Sequence, residues 1–213
     1  MANYNQSVIL EPMPEQYDLF ADPPREEQKA NSAKPRILYF DLETQNSSDD
    51  VGGWGNIHKM KLAVGVVWDS LEEKYFTYLE KNAKKLVEKL RSANLVVGFN
   101  VIGFDYVVLQ PYADIDLQEI PTFDMLVDIK KKLGFRLSLN HLARQNLNVE
   151  KSADGLISLK WWKEGKIDNI IEYCTKDVQV TRDLFLFGTS NGYVEYQSKG
   201  RGIQKLNVEW KEG

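Results

Sequence analysis

One cysteine, Cys174, stands in the 213 residues, so no intrachain disulfide can form and a reducing, cytoplasmic compartment is expected. Histidine is almost as scarce: His58 and His141 lie far apart and offer no zinc-site spacing. No run approaches the roughly 20 apolar residues of a membrane helix, and the polar start does not read as a signal peptide, so no membrane partner is expected. No internal repeat is visible. No Gly-x-Gly-x-x-Gly follows a strand, which argues against a dinucleotide-dependent oxidoreductase. An excess of positive charge is missing too. A net charge of −4 argues against a protein that coats nucleic acid by bulk electrostatics, but not against an enzyme that grips it through bound cations.

What remains is an ordinary globular composition, 43% hydrophobic and 27% charged, enough for one substantial domain with a real core. Residues 1–34 differ from the rest. They hold Glu11, Glu15, Asp18, Asp22, Glu26 and Glu27 against Arg25, Lys29 and Lys34, and most of the prolines fall at or just after them. No apolar period is sustained there, so 1–34 is expected to be a disordered tail and 35–213 the folded domain.

Within the domain, "RILYFDLE", "KLAVGVVWD" (61–69) and "EKYFTYL" (73–79) read as a meander of strands. Ala83, Leu86, Val87 and Leu90 mark a helix over 81–91. "NLVVGFN" (94–100) reads as a buried strand, and "GFDYVVLQPY" starts a helix that Pro111 stops. Helices are expected at 122–133, 138–147 and 167–187, the last presenting Ile170, Ile171, Cys174, Val178, Leu184 and Phe185 on one face. Residues 193–210 read as a closing hairpin around "SKGRG". Strands that form a meander and then alternate with helices predict an α/β fold with a mixed central sheet flanked by helices. Ligand chemistry in such sheets sits at the carboxyl ends of strands.

Two acids end the first strand. Asp41 and Glu43 are separated by one residue, so both side chains point to one side. Asp105 falls in the first turn of its helix, where a carboxylate also serves as a cap. Tyr173 and Asp177 are four apart on a helical pattern and share a face, although a tyrosine there also suits the rim of a core. Two carboxylates about 4 Å apart repel by about 4 kcal/mol at an effective dielectric of 20. A cluster of them is tolerable with protons or cations among them. Magnesium and manganese prefer oxygen ligands, and a pair of such ions activates water and stabilises the leaving oxygen of a phosphodiester.

"DLE" at 41–43, "NVIGFD" at 100–105 and "YCTKD" at 173–177 resemble the three motifs of the DnaQ-like, ribonuclease-H-fold 3′–5′ exonucleases. The Asn-x-x-x-Phe-Asp spacing is similar to the proofreading domain of B-family DNA polymerases, and the tyrosine of the third motif to the DEDDy subclass. The resemblance covers about residues 36–190. It implies a ribonuclease-H-like fold and two divalent cations, Mg2+ or Mn2+. Asp41, Glu43 and Asp177 would hold one metal, and Asp41 would bridge to a second with Asp105. Tyr173 would orient the attacking water. Asn100 and Phe104 would contact a single-stranded 3′ end, or else serve as packing residues. The substrate implied is single-stranded nucleic acid; the motifs do not report the sugar, and the clamp-like peptide in the tail tips the expectation towards DNA rather than RNA. An RNA 3′-end-trimming enzyme and a non-catalytic nucleic-acid or clamp-binding adaptor are the alternatives. A freestanding exonuclease, or one supplied to a complex, is expected, since these 213 residues hold no polymerase body.

Several features stay outside that set. Asp124, Asp128 and Asp183 are expected to be solvated or capping residues. Residues 44–60 form a polar, Gly-rich loop beside the cleft, whose Trp54 either stacks on a base or pins the loop. "LKWWKEGK" and "DIKKKLGFR" mix cations with aromatics, as single-strand surfaces do and as wet helix faces also do. In the tail, "QYDLF" resembles the short peptide that bacterial replication proteins insert into the sliding clamp. Leu19 and Phe20 would be the anchors and Gln16 the rim contact, with nucleoid association as the consequence. The other reading is a segment that docks on its own domain.

Overall fold

A computed structural model describes residues 34–149 and 156–212. The tail and its Gln16, Leu19 and Phe20 therefore lie outside the described residues. In chain order the elements are β1 (Ile37–Thr44), β2 (Leu62–Asp69), β3 (Lys74–Leu79), α1 (Ala83–Arg91), β4 (Leu95–Gly98) and α2 (Asp105–Leu109). They continue with β5 (Thr122–Asp124), α3 (Met125–Leu133), α4 (Leu139–Leu147), α5 (Leu156–Lys163), α6 (Ile167–Asn191), β6 (Tyr193–Ser198) and β7 (Gly202–Asn207). The expected mixed sheet is present, in the order β3-β2-β1-β4-β5, with β6 and β7 forming a separate hairpin. β1, β2 and β3 pair antiparallel, while β4 and β5 run parallel to β1.

One expectation is corrected. The helix expected from 122 begins at Met125, because Thr122–Asp124 adds a short strand beside β4. Asp124 then caps the helix, its carboxylate accepting from the amides of Leu126 and Val127. The "LKWWK" stretch lies on a helix of its own, α5. Pro111 does end α2, in a single 3-10 turn over Gln110–Tyr112, since proline cannot donate to the preceding turn.

β1 sorts the core by its period of two. Leu38, Phe40 and Leu42 pack with Leu86, Leu90, Tyr106 and Val108 on one face. Ile37 and Tyr39 pack on the other with Val178, Leu184 and Phe185 of α6. Asp41 and Glu43 continue the row that faces α6. Parallel pairing between β1 and β4 ends at Tyr39 and Val97. β4 turns away just beyond, through Asn100 at φ 71°. Gly98 is required at that turn, because a β-carbon there would collide with the Val101 side chain. The last residues of β1 are thus left with a free edge, and it is there that the acids stand.

Candidate metal centre and cleft

The end of β1 and the middle of α6 bring three acids together. One carboxylate oxygen each from Asp41, Glu43 and Asp177 lies within 4.8 Å of the others, the arrangement of a candidate metal site. Asp105 approaches from α2, on the free edge of β1, where its Oδ1 accepts a hydrogen bond from the Leu42 amide at 3.0 Å. It is 3% exposed and does not complete the three-acid group, but its charge is the largest carboxylate influence on Asp41. Tyr173, one turn before Asp177 on α6, donates its hydroxyl to the Asp177 carboxylate. All five sequence-predicted residues therefore meet at one end of the sheet.

Desolvation dominates the electrostatics. Burial, then the charges of Asp105, Asp177 and Glu43, pushes Asp41 well above the usual carboxylate range. Burial raises Glu43 to about 8, opposed by the Ser158 hydroxyl and reinforced by Asp177 and Asp105. Asp105 is raised to about 7 by burial, against its own backbone amide and that of Leu42. Asp177 is raised to about 6 by burial, while the Tyr173 hydroxyl and Lys176 pull it down. Among the described residues, no lysine or arginine forms an ion pair with any of the four. An all-oxygen donor set, crowded and uncompensated, fits a hard divalent cation.

Two neighbours lie outside the sequence-predicted set. Ser158 on α5 donates to Glu43 Oε2 at 2.6 Å from a buried position. Cys174 directs its thiol at the Asp41 carbonyl oxygen and Oδ2, at 3.4 and 3.5 Å. Burial and the surrounding carboxylates push that thiol far up, so it stays protonated and donates. Neither residue carries a pattern visible in sequence. A supporting hydroxyl 115 positions from its partner leaves no local signature.

The acids floor a cleft of about 320 Å3, lined by Asp41, Glu43 and Asp105 and walled by Trp54, Phe99, Phe104 and Leu156. Trp54 is 68% exposed, so its ring faces solvent and does not pin the loop. Phe104 is partly buried against the core. Asn100 lines the cleft and accepts a hydrogen bond from Arg136 at 3.2 Å. The turn carrying both is held by Asp124, whose carboxylate takes the amides of Asn100 at 2.8 Å and Ile102 at 3.1 Å. Asp128 takes the Trp210 indole NH at 2.9 Å, and Asp183 pairs with Arg182. None of these three acids joins the cluster.

Among the described residues, no helix is long and apolar enough to cross a membrane. No curated protein matches the chain. Among solved structures it is similar to the family B DNA polymerase of the hyperthermophilic archaeon Pyrobaculum calidifontis, at 17% identity and a TM-score of 0.54. The match covers 74% of this chain and 26% of the polymerase, so this chain corresponds in fold to about a quarter of that protein. The model of the RNase_H superfamily (RNase_H_2) matches residues 38–186, from the second residue of β1 into the last third of α6. That span contains all four acids, on β1, α2 and α6, and the chain belongs to the RNase_H superfamily.

Proposed function

We propose that this protein is a divalent-metal-dependent 3′–5′ exonuclease of the DEDDy type, acting on single-stranded 3′ ends and on DNA in preference to RNA. The observation that carries the reading is the convergence of Asp41, Glu43 and Asp177 within 4.8 Å, with Tyr173 bonded to Asp177 on the same helix. RNase_H superfamily membership supports a nuclease, and the likeness of fold to a family B DNA polymerase is consistent with an exonuclease domain.

When bound, two Mg2+ or Mn2+ ions would supply an activated water and charge stabilisation at the leaving oxygen. Asp41, Glu43 and Asp177 would hold one ion, and Asp41 with Asp105 would hold the other. Ser158 fixes the rotamer of Glu43, and Cys174 does the same for Asp41. The Tyr173 hydroxyl, bonded to the Asp177 carboxylate, would orient the attacking water. Asn100 and Phe104 position the terminal nucleotide, and the cleft wall excludes water from it. The tail peptide Gln16–Phe20 docks on a sliding clamp and tethers the domain in the cytoplasm at the nucleoid.

The test is digestion of end-labelled single-stranded DNA and RNA with magnesium, manganese or chelator. Release of mononucleotides from the 3′ end, dependent on metal and abolished in Asp41→Ala, is the expected result. Wild-type-like hydrolysis by Asp41→Ala would refute the site. Deleting residues 16–20 leaves oligonucleotide digestion intact and removes clamp association, and retention of that association would refute the tail assignment.

A further inference from the structure

The chain carries a net charge of −4, yet from Ile129 to Val149 there is no acid and there are five cations, Lys130, Lys131, Lys132, Arg136 and Arg144. The fold gives this strip a direction. Next to the catalytic cleft lies a hollow of about 410 Å3 that shares Phe99 and Asn100 with it and is bordered by Arg136, Leu137 and Ser138. Ser138 in turn borders a further hollow of about 360 Å3, lined by His141, Arg144, Gln145 and Gln197. Shared walls make the three a continuous path from the acids, past Asn100, and along α4 to the β6–β7 hairpin. Among the described residues, no acid lines the two outer hollows.

The path is stiff, and its charge is available. β6 docks on α4 through the side chain of Asn146, which exchanges two hydrogen bonds with the backbone of Glu195 at 2.8 and 2.7 Å. His141 Nε2 accepts from the Gln197 amide at 3.0 Å. Lys132 is paired with Asp128 and Lys205 with Glu195. Arg136 and Arg144 are exposed, and among the described residues neither forms an ion pair. Beside Arg136, Phe135 is 47% exposed, its ring edge-on to Tyr196 at 6.2 Å. Guanidinium groups without a carboxylate partner, alternating with polar amides and an open aromatic, are what a flexible phosphodiester strand binds.

We propose that α4 and the β6–β7 hairpin form a track for single-stranded nucleic acid, holding the phosphates upstream of the nucleotide in the cleft. The proposal rests on the nuclease reading for its direction, but its test does not depend on hydrolysis. Arg136 takes the phosphates nearest the cleft, and Arg144 takes those farther along α4. The track reads charge and not the sugar, so oligo-dT and oligo-rU bind it alike.

The experiment measures binding of 5′-fluorescein dT12, rU12 and dT3 to the full chain in chelator, by anisotropy across a salt series. In Arg136→Ala/Arg144→Ala, affinity for dT12 and rU12 falls at least 10-fold. The slope of log K against log salt shrinks by about 1.4, or about 0.7 for each single-strand phosphate that the arginines no longer neutralise. Affinity for dT3 changes less than 2-fold in Arg144→Ala alone, and Arg144→Lys retains most of the dT12 affinity. Unchanged dT12 binding, or an equal loss on dT3 and dT12, overturns the track; either result would leave the strip as solvated surface or as a site for something other than a strand. Should the wild type bind dT12 through these arginines and digest nothing with metal, the nuclease reading fails and the track stands.

Discussion

Replacing Glu43 by Gln probes the acidic cluster without any substrate. In metal-free protein the carboxylates of Asp41, Glu43 and Asp177 come within 4.8 Å, and two unit charges at that distance repel by about 3.5 kcal/mol at an effective dielectric of 20. Desolvation first, opposed by Ser158 and reinforced by the charges of Asp177 and Asp105, lifts Glu43 from its ordinary 4.5 to about 8. A carboxyl that holds its proton more tightly when folded makes stability fall as pH rises from about 4.5 towards 8, and level off above. At pH 7.5 that linkage costs the fold about 4 kcal/mol. Gln removes the charge but still accepts from Ser158, at a loss of about 1 kcal/mol because the bond is no longer charge-assisted. A net gain of about 2–3 kcal/mol raises the melting temperature of a chain this size by about 4–12 °C.

The assay is thermal unfolding of both proteins in chelator at pH 5 and 7.5, then with magnesium or manganese. The variant melts higher than wild type at pH 7.5, and the gap closes at pH 5, where the linkage cost is under about 1 kcal/mol. Metal cancels the variant's lead. At 100 times its dissociation constant it stabilises wild type by about 2.7 kcal/mol, whereas the variant, lacking a ligand, gains little. A variant that melts below wild type in chelator at pH 7.5, or gains equally from metal, refutes the electrostatic argument.

Asp124→Ala leaves the amides of Asn100, Ile102, Leu126 and Val127 without their shared acceptor, which costs about 2–4 kcal/mol in urea unfolding; KM for oligonucleotides rises as the Asn100 turn loosens. Gly188→Ala sets a β-carbon against the Trp210 indole, which is stacked on Phe185, so a loss of about 1–3 kcal/mol and a shifted tryptophan emission are expected. Lys89→Met removes the ammonium 2.6 Å from the fully buried Asp69 carboxylate, leaving Arg36 at 3.4 Å; unfolding at pH 7 is easier by about 2–3 kcal/mol. Burial pushes Asp69 up, but Lys89 and the amides of Leu71 and Glu72 outweigh it and hold it below the ordinary 3.8. Its contribution is therefore full above about pH 4 and fades as pH drops further, and Lys89→Met flattens that acid limb.

The parts of the fold legible in sequence were those with a sustained period. β1, β2 and β3 alternate or run apolar for six to eight residues, and α6 repeats its buried positions over 25 residues. β5 spans three residues, too few for alternation to register, and its neighbour α3 hid it. α5 carries two tryptophans among lysines and buries only Ser158 fully, so its burial pattern does not separate from loop composition. At the site, the acids could be read because three motifs lie in a fixed order on elements whose ends converge. Ser158 and Cys174 could not, because each acts on a carboxylate more than 100 positions away. Trp54 was left between two readings, and its exposure decides against the one that pins the loop.

One geometric cause underlies the whole cluster. β1 outlasts its parallel partner β4, so the amide of Leu42 has no strand to bond. An unpaired amide at a sheet edge this close to the core is costly, and Asp105 satisfies it from the first turn of α2. The same contact fixes a carboxylate beside Asp41. Asp105 is therefore a structural substitute for a strand and a charge in the site at once. Structural demand alone would be met by Asn, whose side-chain oxygen accepts the same hydrogen bond. The negative charge adds repulsion to three acids that are already desolvated. A fold that keeps an ionisable group where a neutral one would serve the backbone equally well is arranged for cations.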